Sequence, residues 1–160
     1  MGQSPDPDHP NRSAPSQLQK TPARIINRAS PLKQNSTVRN DTMHALIIED
    51  SVLISMMVED HLRELGFTSF AIADRESTAI ASANRQQPDF IAADDSLIEG
   101  SGIDAVREIC SDKPIPTVFM LGDPEKAPEK HAAPHGYVVA KPFLFDAFRE
   151  AVEGAFARVR

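Results

Sequence analysis

The chain of 160 residues holds a single cysteine, Cys110, so no internal disulfide is available to it. With no Cys/His cluster around that residue, a thiolate metal site is excluded as well. A lone cysteine fits a reducing compartment. No apolar run approaches the roughly 20 residues that a membrane helix requires, and the first residues lack the apolar core of a secretory signal. Basic residues are in deficit, with 17 Lys and Arg against 23 Asp and Glu and a formal net charge of -6, which excludes a histone-like or polybasic nucleic-acid binder. There is no internal repeat. These absences predict a soluble, cytoplasmic protein without membrane contact, long enough to fold as one domain of ordinary size without a staple.

What is present divides at Met43. Residues 1–42 carry net charge +3 and 6 of the 13 prolines, with few large aliphatics and no sustained period, whereas residues 43–160 carry net charge -9. A stretch of the first kind buries too little apolar surface to offset the entropy of ordering it, so 1–42 is expected to be a disordered, Pro-rich N-terminal extension. Its basic residues Arg24, Arg28, Lys33 and Arg39 are dispersed, which favours a spacer over a basic docking tail.

From His44 short apolar runs alternate with amphipathic stretches, the sequence form of a parallel sheet with helices on its faces. Strands are expected at Ala45–Ile48, Phe67–Ala73, Phe90–Ala93, Thr117–Leu121 and Tyr137–Ala140. Ile54, Met57, Val58, Leu62 and Leu65 share one helical face, closed by Gly66 where a left-handed turn is wanted. Arg75–Arg85, a short segment marked by Ile103, Val106 and Cys110, and a periodic last helix from Phe148 to Val159 follow the same rule. Pro124, Pro128 and Pro134 interrupt the segment Gly122–Gly136, so its helix is expected to be short or irregular. The fold class is α/β, a doubly wound five-stranded parallel sheet with helices on both faces, whose ligands belong beyond the carboxyl ends of the strands.

Two acidic pairs stand at such ends. Glu49 and Asp50 follow the first strand, and Asp94 and Asp95 end the third. Like charges brought together raise one another's pKa, so their convergence points to a hard divalent cation, magnesium, held by oxygen ligands. Helix capping by Asp50 or Ser51 accounts for one carboxylate but not for two pairs. Lys141, at the end of the fifth strand, can reach the same pocket, and Pro142 after it favours extended backbone and permits a cis bond.

With these residues in hand, 43–160 resembles a response-regulator receiver domain of bacterial two-component signalling, a CheY-like module of the flavodoxin-like fold. The likeness rests on Ile48-Glu49-Asp50, on the block PDFIAADDSLIEGSGIDAVREI from Pro88, and on KPF from Lys141, in the family's order and approximate spacing. It implies that Asp94, not Asp95, is the phosphoacceptor. It also implies that Glu49, Asp50, Asp94 and the Ser96 backbone carbonyl bind Mg2+, and that Lys141 contacts the phosphoryl group. A histidine kinase or histidine phosphotransfer protein would be the donor, with an unidentified downstream protein as target.

Departures from the family lie in the readout. Leu121 stands where receivers carry Thr or Ser, so the hydroxyl that contacts the phosphoryl group is missing. Val138 occupies the usual aromatic switch position, with Tyr137 one residue earlier. Pro116, Phe119 and Gly122 resemble part of a motif from receivers of the general stress response. Two rival readings remain: a pseudo-receiver that signals by binding alone, and a magnesium-dependent phosphatase of the haloacid-dehalogenase kind. The latter requires an acid two residues beyond the nucleophile, where this chain has Ser96. No output module follows the last helix, so direct DNA binding is not expected, nor is an enzymatic role.

Overall fold

The computed structural model describes residues 42–123, 125 and 136–160. Strands β1 (His44–Ile48), β2 (Ser69–Ala73), β3 (Phe90–Asp94), β4 (Thr117–Leu121) and β5 (Gly136–Ala140) form one sheet in the order β2-β1-β3-β4-β5. Every pairing in it is parallel. Helices α1 (Val52–Glu64), α2 (Glu76–Arg85), α3 (Gly102–Ile109) and α4 (Phe145–Val159) complete the described elements. The doubly wound α/β architecture is therefore as the alternating pattern requires. The disordered extension expected for 1–42 falls outside the described residues, apart from Thr42, and the short helix expected between Gly122 and Gly136 falls mostly outside them.

Strands β1, β3 and β4 are buried along their whole length, which is why they read as continuous apolar runs rather than as alternation. Side chains from alternate strand positions then enter two cores. On one face Ala45, Ile47, Phe90, Ala92, Val118 and Met120 meet Val58 and Leu62 of α1 and Phe148, Val152 and Ala155 of α4. On the other, Leu46, Ile48, Ile91, Ala93, Phe119 and Leu121 meet Ala79 of α2 and Ala105 and Val106 of α3.

The boundaries differ from expectation by small, explicable amounts. Leu65 is the residue after α1 rather than part of it, and Gly66 takes the predicted left-handed turn, with φ 100°. Phe67 is buried without being in a strand: β2 starts at Ser69, where the N–H groups of Thr68 and Ser69 both reach the Met43 carbonyl. Arg75 and Cys110 flank α2 and α3 as caps.

Candidate functional site

The sheet register builds the site. Ile48 pairs with Ala93, so one step further Glu49 lies opposite Asp94 at the carboxyl ends of β1 and β3. Glu49, Asp94 and Lys141 each stand two residues beyond a member of the first core, Ile47, Ala92 and Val139 respectively, so all three side chains leave the sheet on the α1/α4 side.

Glu49 is buried to 2% exposure. Its Oε1 accepts the Ser51 N–H at 3.0 Å and its Oε2 accepts from Lys141 Nζ at 2.8 Å. The Asp94 Oδ1 accepts the N–H of Asp95 at 2.9 Å, and its Oδ2 lies 3.1 Å from Lys141 Nζ. The lysine is itself aimed by its backbone, whose N–H donates to the Leu121 carbonyl at 2.7 Å, and the Lys141–Pro142 bond is cis. Ser51, not Asp50, supplies the cap of α1, its hydroxyl accepting the Ile54 N–H. Asp50 is thereby left to the pocket, and carboxylate oxygens of Glu49, Asp50 and Asp94 lie within 4.8 Å of one another.

Burial is the first cause that pushes the Asp94 carboxyl up to about 6; the nearby Asp95 and Glu49 carboxylates add to it, against the pull of the Lys141 ammonium. Burial alone would lower the Lys141 ammonium, but its bonds to Glu49 and Asp94 outweigh that and hold it above the ordinary lysine range. Three carboxylates facing one ammonium leave two negative charges uncompensated, the charge of one divalent cation. The donors are hard oxygens, as magnesium requires. The residues present fit that ion.

Of the residues singled out in the sequence, Glu49, Asp50, Asp94 and Lys141 converge. Asp95 is half-buried beside them and Ser96 lies in the exposed loop that follows. Leu121 points into the second core, 1% exposed, on the opposite side of the sheet from the acids. Tyr137 is not brought to the pocket either. It packs on α4, under the Arg158 guanidinium at 4.7 Å and against Gly154, while Arg158 also donates to the Gly136 carbonyl.

The family model for the response regulator receiver domain matches residues 45–153. The chain belongs to that family. As a receiver domain it is a member of two-component signalling, and the family is mainly a signalling module that binds magnesium in its acidic pocket. Receivers interact with histidine kinases or phosphotransfer proteins and with downstream proteins. This receiver is 32% identical to the chemotaxis protein CheY of Pseudomonas aeruginosa over 123 residues, 73% of this chain and 98% of the relative. It is 33% identical over 100 residues to the phyllosphere-induced regulator PhyR of Methylorubrum extorquens, covering 61% of this chain but 38% of that longer protein. Among solved structures, the receiver domain of Erythrobacter litoralis PhyR superposes with a TM-score of 0.65 at 33% identity, over 72% of this chain and 91% of its own. The partial likeness to stress-response receivers read from Pro116, Phe119 and Gly122 accords with these PhyR relatives. Among the described residues, no helix is long and apolar enough to cross a membrane.

Proposed function

We propose that residues 43–160 form a phosphoacceptor unit in which Asp94 takes a phosphoryl group from the phosphohistidine of a kinase or phosphotransfer protein. The observation that carries this reading is the convergence of three carboxylates and the Lys141 ammonium at the carboxyl ends of β1, β3 and β5. An Asp94 carboxylate oxygen attacks phosphorus in line, the P–N bond breaks, and its electron pair returns to the donor imidazole, leaving an acyl phosphate. Lys141 offers its ammonium to the phosphoryl oxygens, exchanging one anionic partner for another. Glu49, Asp50, Asp94 and the Ser96 carbonyl would hold Mg2+, which supplies charge neutralisation for the transferring group. Water attacking the same phosphorus returns Asp94 to its resting state. The unit acts in the cytoplasm by contact with a downstream protein, as a signalling module and not as an enzyme.

The test is intact mass after incubation with acetyl phosphate and Mg2+. One phosphoryl group is expected, lost with a chelator and lost in Asp94→Asn. Labelling that survives either treatment overturns the assignment.

Leu121 tests the readout. A threonine there removes buried methyl groups from the second core and introduces a hydroxyl, so Leu121→Thr is expected to lower stability by about 1–2 kcal/mol in chemical denaturation. That hydroxyl enters the second core, on the far side of the sheet from Asp94, so it adds no contact to a phosphoryl group there, and without a differential contact the population of states does not shift. Amide shift changes on phosphorylation are therefore expected to be alike around residues 117–123 in the variant and the parent. A clearly larger response in the variant would show that the side chain at 121 turns toward the acidic pocket on phosphorylation.

A further inference from the structure

The loop 95–101, between β3 and α3, carries the Ser96 carbonyl and is folded back on its own start. Gly102 at the head of α3 lies so close to the Asp94 carbonyl that a Cβ there would sit 1.9 Å from its oxygen. On its outer side the loop is stitched to the head of α2. An isolated parallel bridge joins Arg75 to Glu99, with the Glu76 N–H donating to the Glu99 carbonyl at 3.2 Å. The exposed ion pair between Arg75 and Glu99, at 3.4 Å, adds little. The Glu76 side chain does more. Its Oε2 accepts the N–H of Ser101, the capping residue of α3, at 3.0 Å, so the first residue of one helix caps the next. Gly100, at φ 83°, makes room for it, since a Cβ on Gly100 would fall 2.5 Å from both Glu76 Cβ and Oε2.

Building on the phosphoacceptor reading, we infer that Glu76 is a positioning residue for the acidic pocket: its hydrogen bond to Ser101 holds loop 95–101 in the shape that presents the Ser96 carbonyl to the cation. A loop that carries a metal ligand needs a fixed conformation before binding, and a partner that fixes it changes affinity without touching the ion. Glu76 is half-buried at the surface and belongs to neither core cluster, so its removal leaves the cores intact.

The experiment compares the full chain with Glu76→Ala and Glu76→Gln. Mg2+ binding is measured by calorimetry, and exchange of the Ser101 amide is followed by NMR in metal-free protein. The alanine variant is expected to bind Mg2+ about tenfold more weakly and to exchange the Ser101 amide faster, with its thermal midpoint little changed. Glutamine keeps an oxygen that accepts the same N–H and is expected to restore both within about twofold. Parent-like Mg2+ affinity in Glu76→Ala overturns the inference, as does a glutamine variant as weak as the alanine one. If the parent itself fails to bind Mg2+, the phosphoacceptor reading falls. The metal-free exchange of Ser101 still reports on the clamp: protection unchanged by the alanine overturns it independently.

Discussion

Replacing Lys141 by alanine is expected to destabilise the metal-free protein by about 3 kcal/mol near neutral pH, because it strands buried carboxylates without their counter-charge. Lys141 Nζ touches Glu49 at 2.8 Å and Asp94 at 3.1 Å, and the Glu49 side chain is only 1% exposed. The ammonium is held above the ordinary lysine range, so its stabilising effect is fully present below the unfolded lysine value and is lost only in strong alkali. Within the usual range its worth depends instead on Asp94. Without the lysine the Asp94 carboxyl loses the one group that lowers it and rises beyond its parent value of about 6, so as pH falls toward that value it takes up a proton in the native variant, one of the stranded charges disappears, and the cost of Lys141→Ala shrinks. Magnesium is expected to raise the thermal midpoint of the variant more than that of the parent, since it replaces the missing positive charge. Thermal melts at several pH values, with chelator and with millimolar Mg2+, check all of this. A variant as stable as the parent in chelator would mean that the three groups do not form the cluster described.

The opposite sign is expected for Asp94→Asn. The native Asp94 carboxyl sits at about 6, raised from an ordinary value of 3.8 chiefly by burial, so between those values the unfolded chain releases a proton that the native protein keeps. Stability from this group is therefore fully present below the unfolded value and falls as pH rises through the folded one. Each unit is worth about 1.36 kcal/mol, and the Asp94 side chain is only 10% exposed, so solvent screening removes little of the penalty. Asparagine carries no charge and escapes it. Lys141 loses an anionic partner in exchange, and the balance is expected to be a gain of about 2 kcal/mol at pH 7.5, roughly 6–10 °C in thermal midpoint for a domain of this size. The gain is expected to vanish near pH 3.5. A destabilised Asp94→Asn at pH 7.5 in chelator would show that Asp94 is held by its partners rather than strained by burial. Such strain fits a carboxylate kept for reaction rather than for folding.

The sequence made the strands legible because burial on both faces leaves continuous apolar runs, and it made α1 legible because Val58 and Leu62 fall at helical spacing. Gly66 was readable for the same local reason. The acids were readable too, since two pairs at strand ends have few bland explanations. The pocket they share with Lys141 followed from the rule that sites lie at strand carboxyl ends, and what stayed hidden was the detailed pairing of distant segments within and around it. Strand-end position puts Lys141 in the pocket, but that its ammonium bonds Glu49, 92 residues away, as well as Asp94 is announced by no local pattern. Phe67 reads as a strand residue by composition, yet it is buried from the turn before β2. Leu121 reads as a departure from the family, but the face it takes follows from the register of β4 against β3, which places Met120 beside Asp94 and turns Leu121 to the other core. The clamp between Glu76 and Ser101 left no signal, because a glutamate in the first turn of a helix is ordinary on its own account.

Locating the phosphoryl group tests the account most directly. The full chain is incubated with acetyl phosphate and Mg2+, the acyl phosphate is reduced with borohydride, and the peptides are sequenced by mass spectrometry, so that the aspartate that carried the group is read as homoserine. The account predicts homoserine at position 94 alone, and none when Mg2+ is chelated. Homoserine at Asp50 or Asp95, or its absence from a chain shown by calorimetry to bind Mg2+, would contradict it.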